Sequence, residues 1–228
     1  MTGNHSNKLL IIFLIVIVFG HNLYAQSLEV TGGPVFNNLH RQSDASIDPD
    51  YSNKTGFSLG IGVDQVKIDW LTLRMTFEYI QYGGHVLEEY NGLAGGGTTT
   101  FDFQKSLVTL GLFPFNYRLI DRIDLNLGIA ISRLVYDSFT GTNTSWYSTM
   151  SGPVYTSYDL DERYNSLGSV WYFGILGRVA WDIPLTRSII LSPQYSFYWG
   201  LTDEFDQESY DSKSWRHFTG LGLQMELK

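Results

Sequence analysis

From Phe57 onward every second residue is apolar, as Phe57, Leu59, Ile61 and Val63, and the residues between (Gly56, Ser58, Gly60, Gly62, Asp64) are small or polar. After a polar corner at residues 65–69 the period resumes with Leu71, Leu73, Met75, Phe77 and Tyr79 against Thr72, Arg74, Thr76 and Glu78. Successive side chains of a strand point to opposite faces, so this stretch predicts a hairpin with one hydrocarbon face and one face carrying charge.

The same rhythm recurs along the chain. A first strand is predicted where Leu28, Val30, Pro34 and Phe36 oppose Glu29, Thr31 and Asn37. A fourth spans residues 100–115, where the apolar phase slips between Phe103 and Val108, and a bulge near residues 104–106 accounts for the slip. Ile123, Leu125, Leu127, Ile129 and Ile131 mark the fifth, and residues 169–182 the sixth, with Arg178 and Asp182 on its polar face. The seventh carries Ile189 to Trp199, and the eighth carries Leu221, Leu223, Met225 and Leu227 against Arg216, Gln224 and Glu226. Residues 38–54, 83–99, 136–168 and 200–214 read as long loops, alternating with short turns. Eight strands with alternating long and short connections predict an all-β, eight-stranded antiparallel up-and-down transmembrane β-barrel with both termini in the periplasm.

The apolar run at residues 9–20 is too short for a spanning helix. It follows Lys8 and leads to Ala25, so residues 1–25 read as a cleaved signal peptide and residues 26–228 as the outer-membrane barrel domain. The chain has no Cys, which excludes disulfides and thiolate metal sites, and its formal charge of −8 excludes nucleic acid as a natural partner.

Alternation alone fits two barrels: a soluble lipocalin-like lipid binder, apolar inside, or a membrane barrel, apolar outside. The apolar face carries only Arg133 and His217 as ionisable groups, both near strand ends, whereas the other face carries Glu29, Arg74, Glu78, Asp124, Arg178, Arg216 and Glu226. A narrow lipid-binding cavity does not tolerate so many charges, and the membrane barrel is the reading adopted. Its lumen is expected to be closed by an ion-pair plug of Arg74, Glu78, Arg178 and Glu226. Tyr79, Trp171, Trp181, Trp199 and Trp215 are expected as interfacial aromatics.

The exit at Tyr24-Ala25-Gln26, the pair Gly32-Gly33, the segment Leu112-Phe113-Pro114-Phe115 and the closing Gly220-Leu221-Gly222-Leu223 resemble the PorT-type eight-stranded outer-membrane barrels. That resemblance implies contact with an envelope or secretion-machinery protein. The expected role is therefore structural, adhesive or secretion-linked, in a monomer bedded in outer-membrane lipid and lipopolysaccharide, without a cofactor. A membrane-embedded lipid hydrolase or acyltransferase is the alternative, and His85 beside Glu88 and Glu89 is its candidate, although no local motif marks a nucleophile. Asp203, Asp206, Glu208 and Asp211 form a weak candidate site for a hard cation, with no EF-hand spacing.

Overall fold

The computed structural model describes residues 27–42, 50–68, 71–92, 94–163, 170–203 and 211–227, and the expected signal segment lies outside them. The strands are β1 (Ser27–Gln42), β2 (Asp50–Ile68), β3 (Leu71–Gly92), β4 (Gly95–Leu119), β5 (Ile123–Thr149), β6 (Gly152–Arg163), β7 (Trp171–Trp181), β8 (Ile183–Pro184), β9 (Ile189–Asp203) and β10 (Asp211–Glu226). Eight of them, β1, β2, β3, β4, β5, β7, β9 and β10, follow one another around a ring that β10 closes by pairing with both β9 and β1. Every pairing is antiparallel. Closure leaves the ring without a free edge, which is what a strand-built wall needs where no water is available to the backbone. β6 pairs with the far part of β5, and the two-residue β8 pairs with β9 at the opposite end.

Side chains sort by face as the two-residue period demands. Leu59 (58% exposed), Ile129 (52%) and Leu221 (55%) look outward, whereas Arg74 (2%), Arg178 (5%) and Arg216 (4%) are enclosed. A soluble barrel with an apolar cavity has the reverse arrangement. Leu73 departs, buried opposite Val66 where β2 bulges.

Two expectations need correction. Most of residues 38–54, 83–99 and 136–168 are paired strand rather than loop. β3 and β4 stay in register up to Gly92 and Gly95, and β5 and β6 up to Thr149 and Gly152. The polar and hydroxyl side chains there hide the period from any hydropathy reading, but their backbones pair as well as any others.

The phase of β4 does not slip near residues 104–106 but between Phe113 and Phe115, beyond which Phe115, Tyr117 and Leu119 face outward. Odd-numbered residues face inward from Phe103 through Lys105, Leu107, Thr109 and Gly111 to Phe113. What changes is the interior, which is aromatic at the level of Phe101 and Phe103 and polar below. The register of β4 against β5 shifts twice: between Ser106 and Leu107, where β5 carries one extra residue, Val135, and between Leu112 and Phe115, where the extra residue is on β4.

The lumen is therefore layered. Toward the hairpin end, Val35, Tyr82, Val86, Phe103, Leu107, Leu134, Phe139 and Tyr172 pack into an apolar cluster. Toward the turn end the interior is ionic.

Candidate functional site: the lumen and the hairpin surface

Glu29 is the centre of the ionic layer. It reaches Arg74 of β3, and Arg178 Nη2 of β7 donates to its Oε1 at 2.9 Å. Arg178 also donates through Nη1 to Asn126 Oδ1 (2.8 Å) and through Nε to Gln194, while Arg74 lies 3.5 Å from Asp64. Buried charges are tolerable only when paired and hydrogen-bonded: Arg178 is both, whereas Arg74 is ion-paired with its Nε left without a hydrogen-bond partner among the described residues. Glycines make the room: a Cβ on Gly222 would collide with the Glu29 carboxylate, one on Gly60 with the Glu78 stem, and one on Gly62 would crowd Arg74. Glu78 accepts from Ser58 Oγ at 3.4 Å and lines the same small cavity, of about 40 Å³. Glu226 does not join the cluster. It is exposed at the last position of β10, and this corrects its expected place in the plug. Glu29 was legible as an inward charge, but sequence spacing gives no signal that one carboxylate would serve two guanidiniums.

A second set of buried cations sits higher. The Arg216 guanidinium lies 3.7 Å from the Tyr198 ring centroid, and Lys105 Nζ donates to Tyr172 OH at 3.2 Å. Lys105 is not legible as an inward cation from the sequence, because the apolar period breaks on either side of it between Phe103 and Val108.

On the outer wall, Tyr79, Trp171, Trp199 and Trp215 stand exposed toward the hairpin end and Trp181 toward the turn end. Trp199 and Trp215 are 5.8 Å apart, and Arg133 lies 5.5 Å over Trp171. Hydrocarbon between two aromatic levels, around a charged and enclosed interior, is the surface of a membrane-spanning barrel. The profile of the family described as "Outer membrane protein beta-barrel domain" matches residues 24–206.

The chain belongs to the outer-membrane β-barrel domain family.

No curated protein matches it in sequence. Among solved structures it is similar to Ail, the attachment invasion locus protein of Yersinia pestis, solved with the heparin analogue sucrose octasulfate, at 12% identity and TM-score 0.39, covering 87% of this chain and 98% of that one. Neisserial surface protein A is similar at 12% identity and TM-score 0.40 (88% and 97% covered). OprG of Pseudomonas aeruginosa is similar at 12% and 0.41 (89% and 97%).

Beyond the wall of this outer-membrane barrel, His85 Nδ1 donates to Asp102 Oδ1 at 2.8 Å, and Lys54 Nζ lies 2.7 Å from Asp102 Oδ2. The Lys54 hydrogen bond, foremost, holds the Asp102 carboxyl below the usual carboxylate range. His85 is thus partnered by Asp102 across β3 and β4, not by Glu88 or Glu89. Of the cation candidates, Asp203 is exposed at the end of β9 and Asp211 opens β10, while Asp206 and Glu208 lie outside the described residues.

Proposed function

We propose that this protein is a monomeric outer-membrane barrel with a closed lumen, whose long hairpins stand on the cell surface and serve a structural, adhesive or secretion-partner role. Residues 1–25 are the cleaved signal peptide, and both termini lie in the periplasm. The observation that carries this reading is the filling of the lumen. The Glu29–Arg74–Arg178 cluster and the apolar cluster above it leave a cavity of only about 40 Å³ among the described residues, room for about one water. Without a pore, what remains to meet a partner is the surface of the hairpins. The PorT-type resemblance favours a partner in the secretion machinery. Reconstitution of the purified protein into planar bilayers tests the closed lumen, and the expected result is no stable conductance. Biotinylation of Lys54 on intact cells tests the orientation: labelling is expected, and protection overturns it.

A second reading rests on one row of the hairpin sheet. Ser52 of β2 stands opposite His85, which stands opposite and bonds to Asp102. A Ser, a His and an Asp in this order are the parts of a nucleophile charged by a base and an orienting carboxylate. A fluorophosphonate probe decides it: an adduct on Ser52 supports a hydrolase, and an unlabelled protein removes one.

A further inference from the structure

The part of the sheet that outgrows the barrel has two faces, and the outer one continues the lipid-facing wall. Along β3 that face runs from Phe77 and Tyr79 through Gln81 and His85 to Glu89 and Asn91. Across the strands it forms rows, each residue opposite the next. Leu87, Thr100, Thr142 and Asp159 make one, Glu89, Thr98, Thr144 and Ser157 the next, and Asn91, Gly96, Trp146 and Tyr155 the last. At about 3.4 Å per residue and the usual tilt, the last row stands roughly 25 Å above Gln81.

The two uppermost rows enclose an open cleft of about 430 Å³. Beside it Gly96 is buried, and a Cβ there would come within 2.7 Å of Tyr90 O, 2.8 Å of Asn91 Oδ1 and 2.9 Å of Trp146 Nε1. The Asn91 amide oxygen and the Trp146 indole N–H thus close over this glycine, and both residues line the cleft. Trp146 and Tyr155 supply two aromatic rings, the second 75% exposed. Thr98, Thr144 and Ser157 supply hydroxyls, and Glu89 is the one charged residue of the lining. Aromatic faces pack against the C–H faces of sugar rings, while short hydroxyl and amide side chains match their hydroxyl groups. The absence of any Lys or Arg from this lining disfavours phosphate or sulfate.

We propose that the Trp146–Tyr155 cleft binds the uncharged saccharide chain of the lipopolysaccharide molecules that stand around the barrel. The inference rests on the surface orientation of the hairpins proposed above. The choice of occupant follows from continuity: the cleft lies on the same face as the lipid-facing wall, at the height where the sugars of the surrounding outer leaflet are found.

The test is calorimetric titration of the detergent-purified full chain with polysaccharide released by mild acid from the lipopolysaccharide of the protein's own host cell. Saturable binding is expected, and Trp146→Ala or Tyr155→Ala should each weaken it by roughly tenfold. Tyr158→Ala, on the opposite face of β6, should leave it unchanged. The proposal is overturned by absence of heat with the polysaccharide, by equal loss in the Tyr158 variant, or by binding of lipid A in its place. Preferential binding of a glycan foreign to that cell would also overturn it. Because the titration uses protein in detergent, its result is independent of the biotinylation result that bears on orientation.

Discussion

Glu29 and Arg178 lie 149 residues apart in sequence and 2.9 Å apart in the lumen, where β1 and β7 face one another across the barrel. Arg74 of β3 meets the same carboxylate, so one acidic side chain ties three strands together. Glu29→Gln keeps the shape and an acceptor oxygen but leaves two buried guanidiniums without their shared counter-charge. Breaking a buried pair in this way costs about 3–5 kcal/mol. Urea unfolding in detergent, followed by the heat-modifiable gel shift, should show a loss of that order. An unchanged midpoint would mean that the cluster does not hold the ring together.

The outer wall gives the opposite expectation for a charge. Ile129, in mid-β5, is 52% exposed and faces away from the lumen. In liposomes, Ile129→Arg should destabilise the barrel by about 2–4 kcal/mol, the cost of a cation near the bilayer midplane. On a water-facing wall the same exchange would stay within about 0.5 kcal/mol. Unfolding of both proteins in the same lipid separates the two cases, and near-equality would contradict the lipid-facing assignment of this face.

Much of the ring was legible in the sequence because the two-residue period of Phe57–Val63, Leu71–Tyr79 and Ile123–Ile131 is set by lipid on one side and charge on the other. Two things escaped. The hairpin sheet was hidden because its outer face is polar: Thr98 opposite Thr144 and Thr100 opposite Thr142 carry no hydropathy signal, although their backbones pair fully. The apolar upper lumen was hidden because Phe101 and Phe103 look like lipid-facing residues out of phase. Only the structure shows that the phase holds from Phe101 to Phe113 and that the inside itself changes from ionic to aromatic. The partner of His85 escaped for a simpler reason: Asp102 is its neighbour across strands, at a separation no local motif records.

The turn between β4 and β5 stores strain. Ile120 opens the short 3₁₀ turn Ile120–Arg122 with φ of +52°, in the left-handed region, where a β-branched side chain crowds its own backbone. The penalty is about 1–2 kcal/mol for an L residue, and glycine avoids it. Ile120 is 75% exposed, so little packing is lost with its side chain. Ile120→Gly should therefore raise stability by about 1 kcal/mol. A lower unfolding midpoint for this variant would show that the side chain makes a contribution larger than the strain.

The ion pairs of the hairpin sheet differ from those of the lumen in being open to solvent, and their dependence on pH has a defined sign. Asp102 is held below its ordinary range, first by the hydrogen bond from Lys54, which outweighs the opposing effect of burial, and then by the hydrogen bond with His85. The folded state therefore releases this proton more readily than the unfolded chain does. The contribution of Asp102 to the hairpin is complete above its unfolded value of about 3.9 and disappears as pH falls below that through the folded value. Carbon-13 NMR of the Asp102 carboxyl should show a midpoint below about 3.9, and Lys54→Met should move it upward. Protection of the β2–β4 amides from hydrogen exchange should differ between the native chain and Asp102→Asn at about pH 6 and converge once the carboxyl is protonated. If Lys54→Met leaves the midpoint in place, the 2.7 Å contact between Lys54 and Asp102 is not what sets the acidity of this group.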